Sequence, residues 1–400
     1  MLRTHKIALD PNNKQRTHLA KCAGVSRFAY NWALSEWNRM YEDWSFDNSL
    51  GKPNQMLLRR NLNAIKREQF PWMLEVTKCA PQEAIIDLGK AFKNFFEGRA
   101  SRPVFKRKGV HDSFRVSSGF FSVSGKRIRL PIIGWLRMRE ELRFCGRIVS
   151  VTISRRADRW YAGVVCELPE PAHNASADKG KVVGVDAGAC AYVTSDGAVY
   201  ETPRSYRKAE KRLRRAQQSL SRKQKGSKNR EKQKLKVAKA HACVSDRRAG
   251  FLHKMTTEIT GVTDTVVIED LNVKGMLKNR RLSKSISDAS FGEFRRQIAY
   301  KTEASGKTLI LAGRYYPSSK LCSSCGSKAK SLTLNMREWV CPDCGALHNR
   351  DFNASVNLKK YAESSPVSVC GEFFASAASH GSGTAVSNLF EAETKRQIAS

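Results

Sequence analysis

The sequence predicts a multidomain chain of mixed class, α+β in its first part and α/β in its second. Three observations carry this. Apolar and aromatic residues recur at helical spacing through Lys14–Trp44, Met56–Lys66 and Pro81–Phe96. Short alternating runs separated by glycine and proline then fill Val104 to Leu168, as in a small barrel. Beyond residue 180, β-branched runs end in carboxylates and alternate with helical stretches. A length of 400 residues suits two to three such domains, at about 150 residues each.

Ile7-Ala8-Leu9 reads as an opening strand, and Asp10-Pro11 as a turn into helix. From Lys14 to Trp44 the spacing predicts two helices, the second rich in aromatics (Phe28, Trp32, Trp37, Tyr41). Met56–Lys66 is a third helix. Pro81–Phe96 is a fourth, with Ile85, Leu88, Phe92 and Phe95 on one face, Pro81 in its first turn and Gly98 as its stop. These aromatics read mainly as core. The barrel segment carries Arg127, Arg129, Arg137, Arg139, Arg143 and Arg147; an oligonucleotide-binding-like barrel and a plain structural β domain both fit it. Residues 173–179 read as a linker.

Lys+Arg of 71 against Asp+Glu of 37 leaves a net charge of +34, a field that attracts polyanions. No apolar run approaches the roughly 18 residues of a spanning helix, and Met1–Asp10 lacks the apolar core of a secretory signal. The eleven cysteines are scattered apart from one paired cluster, as expected in a reducing compartment. Nucleic acid is the favoured partner. Between Arg204 and Arg248 stand 18 Lys+Arg and three acids, with thin apolar stripes at Leu213, Ala216, Leu220 and at Leu235, Ala238, Ala242. Gly226 and its neighbours separate them, so an antiparallel helix pair is expected. So one-sided a charge favours a phosphate backbone over a merely solvated face, with Lys223, Lys225, Lys228 and Arg230 as candidate contacts.

Val182, Val183 and Val185 predict a buried strand with Asp186 at its end, where a desolvated carboxylate needs a partner or a cation. Gly188 leaves room for a close approach, and Ala191–Thr194 returns before the Asp196-Gly197 turn. The run 264–270, DTVVIED, repeats the pattern and ends in Glu269. Residues 287–304 predict a helix covering the sheet, Thr308–Ala312 a further strand, and Pro317 opens an insert. There Cys322, Cys325, Cys341 and Cys344 have the spacing C-x2-C-x15-C-x2-C. Four thiolates close a tetrahedral zinc, so this site is structural, with His348 a spare ligand. Asp351 follows at a helix start. N-capping is its bland role; the sharper one is a third carboxylate beside Asp186 and Glu269, able to hold Mg²⁺ with phosphate and water. Arg350 and Asn353 stand close enough in sequence to meet a scissile phosphate.

The order GVDAG (184–188), VVIEDLNVKGM (266–276), four-cysteine ribbon, RDFNASVNL (350–358) resembles the TnpB (OrfB) proteins of bacterial insertion sequences, small relatives of type V CRISPR nucleases. RFAYNWAL (27–34), KAFKNFF (90–96), LSKSISDASFGEFRRQIAYK (282–301) and YYPSSKLCSSCG (315–326) extend the similarity over about residues 1–361. The resemblance implies an RNase H-like, RuvC-type domain at 179–316 and 350–362, with Asp186, Glu269 and Asp351 as its Mg²⁺- or Mn²⁺-dependent site. It further implies a zinc ribbon at 317–349, a wedge barrel from 1–10 and 103–178, and a helical recognition insert at 11–102. The implied activity is RNA-guided cleavage of double-stranded DNA by one protein with one transposon-derived RNA, in the bacterial cytoplasm and on the nucleoid when bound to DNA. Lys78 and Gln82 match positions near the target-adjacent motif. Asn349 stands where the family often has Asp. The tail 363–400 has no core pattern and is expected to be disordered. RNA-guided binding without cleavage and transposase-type recombination are the alternatives.

Overall fold

A computed structural model describes residues 1–169, 180–329, 332–333 and 336–364, so the expected linker and nearly all of the expected disordered tail lie outside the described residues. The chain divides into two units, residues 1–170 with 213–242, and residues 171–212 with 243–400.

In the first unit β1 (Leu2–Ala8) leads into α1 (Asn13–Phe46), whose start is fixed by Asn12 and Gln15 capping each other's backbone N–H groups. The two helices expected here are one: the buried stripe runs unbroken from Leu19 to Trp37, and no glycine turn or proline interrupts it. α2 (Gln55–Gln69) and α3 (Cys79–Phe96) follow as expected, and Gly98 takes a left-handed φ of 69° beyond the end of α3. Trp37 of α1 stacks on Phe92 of α3 at 4.2 Å.

Six strands complete the unit: β2 (Ser113–Ser117), β3 (Ser122–Ser124), β4 (Arg127–Leu130), β5 (Gly134–Arg137), β6 (Arg147–Arg156) and β7 (Arg159–Glu167). They form two antiparallel sheets, of order β1-β7-β6-β2 and β3-β4-β5. The sheets are stitched where Leu9 bridges Met138 and Asp10 N–H donates to the Arg137 carbonyl. One apolar core joins strands and helices, with Ile7, Val151 and Val164 buried alongside Leu19, Leu34 and Leu88.

The second unit is built on a five-stranded sheet of order β10-β9-β8-β11-β12. Its strands are β8 (Val182–Ala187), β9 (Ala191–Thr194), β10 (Val199–Glu201), β11 (Thr265–Glu269) and β12 (Thr308–Ala312). β8, β11 and β12 are mutually parallel, while β9 and β10 return as antiparallel hairpins. α4 (Ser205–Ser221) and α5 (Lys228–Val262) form the basic helix pair, and their segment 213–242 belongs to the first unit. Small α6 (Val273–Met276) precedes α7 (Ser283–Ala289) and α8 (Phe291–Ala304). The single helix expected over 287–304 is broken because Ser290 adopts a left-handed φ of 60°.

Period-2 alternation sorts the central strands onto two covered faces. Val183, Val185, Val266 and Ile268 pack with Leu252, Met255 and Ile259 of α5 and Phe294 and Ile298 of α8. Val182, Val267, Ile310 and Ala312 pack with Leu358 and Ala362 of the last helix, α9, which spans Arg350–Ser364. A sheet covered on both sides explains why its strands read as continuous apolar runs. Between β12 and α9, β13 (Glu338–Val340) and β14 (Leu347–Asn349) make the ribbon hairpin, which flanks the second cysteine pair. No helix among the described residues is long and apolar enough to cross a membrane.

Candidate active site and zinc ribbon

Strand register brings the first two carboxylates together. Val185 pairs with Ile268 across parallel β8 and β11, so Asp186 and Glu269 are the next residues on neighbouring strands. By alternation they share a face with Val182, Gly184 and Val267, the face covered by α9. Gly184 sets the approach of that helix. A Cβ there would stand 2.1 Å from the Ser355 carbonyl oxygen and 2.6 Å from the Lys359 nitrogen, both backbone atoms of α9. Glycine is what lets helix lie on strand, and it delivers the α9 N-terminus, with Asp351, to the two strand-end acids.

Asp186 registers the consequence. Its pKa is raised to about 8, first by burial, then by the charges of Glu269 and Asp351, against relief from Arg350 and Arg337. The other two acids are held from outside. Glu269 accepts from the buried Ser318 hydroxyl at 2.5 Å, and Asp351 pairs with Arg337 at 3.2 Å. N-capping falls to Asn349, whose side chain accepts from Phe352 N–H at 3.1 Å, so Asp351 is released from that role. Asp186 and Glu269 end neighbouring strands and Asp351 is near enough to raise the Asp186 pKa, although the three carboxylates do not all close to within 4.8 Å of one another as the cysteine sulfurs do. The donor set, all oxygen, is of the kind Mg²⁺ or Mn²⁺ takes.

Two of the expected phosphate contacts have hydrogen-bond partners within the protein. Asn353 is 1% exposed. Its Oδ1 accepts from Ser323 N–H at 2.9 Å and its Nδ2 donates to the Leu321 carbonyl at 2.7 Å, so it braces the ribbon against α9. Arg230 donates to the carbonyls of Leu220 and Lys223, at 2.9 and 2.7 Å, closing the C-terminal end of α4. One guanidinium nitrogen of the arginine thus serves the hairpin's own backbone. Lys225 and Lys228 are exposed, and Lys223 lines an open cleft with Arg215, Gln218, Ser219 and Arg222. Arg350 is half-buried beside the acids and donates to the Thr333 carbonyl at 3.2 Å. Lys78, at the N-terminus of α3, is exposed and lies over the Phe120 ring at 4.7 Å, with Gln82 one turn along.

Cys322, Cys325, Cys341 and Cys344 place their sulfurs within 4.8 Å of one another, the one such group of possible ligands among the described residues. The Cys322–Cys344 and Cys325–Cys341 sulfur separations are 3.6 Å. Disulfide sulfurs would stand about 2.05 Å apart. Four thiolates around one zinc, at about 2.3 Å each, stand about 3.8 Å apart, so the set fits zinc. The Ser327 hydroxyl lies 3.1 and 3.2 Å from the Cys325 and Cys341 sulfurs. It is the leading cause that lowers both thiols, Cys341 to about 6. His348 meets Cys322 sulfur at 3.0 Å through Nε2, supporting a ligand rather than replacing one. Of the other cysteines, Cys22, Cys79 and Cys166 are packing residues, whereas Cys145, Cys190 and Cys243 are exposed.

Sequence reasoning missed Gly184, Ser318, Arg337 and Asn357. Gly184 carried a signal, a glycine interrupting a β-branched run. The others act through contacts distant in sequence and leave no local pattern.

A similar fold is found in a cryo-EM structure of a Cas12f1–sgRNA–target DNA complex. The two align with a TM-score of 0.52 at 14% identity, over 86% of this chain and 83% of the other. Residues 163–280 match the OrfB_IS605 family model, described as "Probable transposase", and residues 291–358 match the Cas12f1-like TNB domain. Residues 1–43 match a model described as a helix-turn-helix domain of OrfB_IS605, although here they form one strand and one uninterrupted helix. A protein of Streptomyces pristinaespiralis is 37% identical over 386 residues, covering 92% of this chain and 91% of its own. InsQ of Escherichia coli K12 is 34% identical over 390 residues, covering 93% and 94%. Both are named "Putative RNA-guided DNA endonuclease". The chain belongs to this OrfB (TnpB) family of insertion-sequence proteins.

Proposed function

We propose that the protein is an RNA-guided DNA endonuclease encoded by a bacterial insertion sequence, with a RuvC-type site at Asp186, Glu269 and Asp351. The adjacent strand-end acids Asp186 and Glu269, with Asp351 close enough to raise the Asp186 pKa, support the reading. Parallel β8 and β11 present their carboxyl ends side by side, where open α/β sheets place their sites. A Mg²⁺ or Mn²⁺ bound there would polarise a phosphodiester and lower the pKa of an attacking water. Asp186, Glu269 and Asp351 would hold the cation, and Arg350 would offer a charge to the phosphate. The four cysteines would hold one structural zinc.

A net charge of +34 suits a guide RNA and a DNA duplex bound together. Base pairing to the guide would read sequence, while exposed Lys78 and the hairpin lysines would contact the backbone. The first unit's sheets and helices would form the wedge and recognition parts, with one protein per RNA. All three acids are present, two of them at the ends of neighbouring strands, which favours cleavage over binding alone. Protein purified from cells carrying its locus should bring down an RNA of defined sequence. Ribonuclease treatment should then abolish sequence-specific DNA binding; specific binding that survives removal of the RNA would overturn the guided reading.

A further inference from the structure

The loop that opens the zinc ribbon contacts both the strand end bearing Glu269 and helix α9. Ser318 is 3% exposed and lies four residues before Cys322. Its hydroxyl donates to Glu269 Oε1 at 2.5 Å, and its carbonyl accepts from the Asn357 side chain of α9 at 2.7 Å. Asn357 also donates to the Leu321 carbonyl at 2.7 Å, and the Tyr316 hydroxyl donates to the Asn357 carbonyl at 3.1 Å. One seam therefore touches the strand end bearing Glu269 and the helix bearing Asp351.

We propose that Ser318 is the positioning residue for Glu269: held in place by Asn357, its hydroxyl fixes the carboxylate's rotamer and leaves the second oxygen available to a divalent cation shared with Asp186 and Asp351. The serine acts by preorganising the carboxylate. A glutamate has three rotatable side-chain bonds, and beside two other carboxylates repulsion favours turning away. A buried hydroxyl donating to one oxygen opposes that turn. Partners of this kind behind a metal-binding carboxylate are worth about 10–100-fold in metal affinity. Ser318→Ala removes one oxygen atom and leaves the packing nearly unchanged.

The proposal rests on the assignment of the three acids, and the test separates the two. Mn²⁺ binding to the full-length, nucleic-acid-free protein is measured by electron paramagnetic resonance of free Mn²⁺, for the parent, Ser318→Ala and Glu269→Gln. Zinc content and melting temperature are recorded on the same samples. Ser318→Ala should bind Mn²⁺ about 10–100-fold more weakly than the parent, with zinc content and melting unchanged. Parent-like Mn²⁺ binding by Ser318→Ala, with binding lost in Glu269→Gln, overturns the role of Ser318 alone. Loss of zinc accompanying weaker Mn²⁺ binding overturns it too, because the serine would then act through the ribbon's integrity. Equal binding by the parent and Glu269→Gln overturns the site itself.

Discussion

Asp186 concentrates the electrostatics of the site. Burial first, and then Glu269 and Asp351, raise its pKa to about 8 in the metal-free protein. A carboxyl whose folded pKa lies above its unfolded value of about 3.9 keeps its proton in the fold. Its contribution to stability is present at low pH and is lost as pH rises through the folded value. A cation at the site displaces that proton, so binding is linked to pH. Mg²⁺ or Mn²⁺ affinity, titrated on nucleic-acid-free protein, should rise by up to about tenfold per pH unit below the folded pKa and level off above it. Affinity that is flat across this window would mean that Asp186 does not carry the proton a metal must displace. Asp186, Glu269 and Asp351 were legible as strand-end and helix-start acids. The backbone contacts of Arg230 and Asn353 were not legible because residue type shows charge or polarity, whereas those partners lie 7 to 32 residues away.

Two elements turn this chemistry into geometry. Helix α9 reaches the site because Gly184 has no side chain, and Gly184→Ala should drive a methyl group into the backbone of α9. Overpacking of this kind costs about 1–3 kcal/mol. A lower melting temperature and loss of cleavage are expected together; parent-like values for both would contradict the packing that places Asp351. The basic hairpin is the second element. Its α5 runs on to Val262, farther than the charge pattern indicated, because Leu252, Met255 and Ile259 are buried on the sheet. Thr256 and Thr260 meanwhile turn their hydroxyls onto carbonyls one turn back. Lys225→Gln with Lys228→Gln should flatten the salt dependence of nucleic-acid binding by up to roughly 0.9 per lost duplex phosphate contact, without changing which sequence is chosen. Arg230→Gln should instead loosen the turn and lower the melting temperature, because its guanidinium closes α4. An unchanged salt slope in the lysine variant would leave the hairpin tip as plain surface.

At the scale of the whole molecule, the sequence indicated most of the elements and less of how they join. Strands β8, β9, β11 and β12 and the cysteine ribbon stood out because β-branched runs, turn residues and ligand spacing are local signals. The unbroken α1, the break at Ser290 and the Ser318 seam are set by packing between distant segments, which no local pattern reports. The common core of the N-terminal helices and strands was equally invisible, since each segment taken alone has a plausible apolar face. The family indicates a guided nuclease, and the proposed acids give that reading residues of this chain to test. The most direct test is cleavage of a plasmid carrying a matching target by the purified protein–RNA complex in Mg²⁺, comparing the parent with Asp186→Ala, Glu269→Ala and Asp351→Ala. The parent should cut both strands only when its RNA is present, and each variant should fail to cut while still binding the target. Near-parental cutting by Asp186→Ala, or cutting that persists without RNA, would contradict the account.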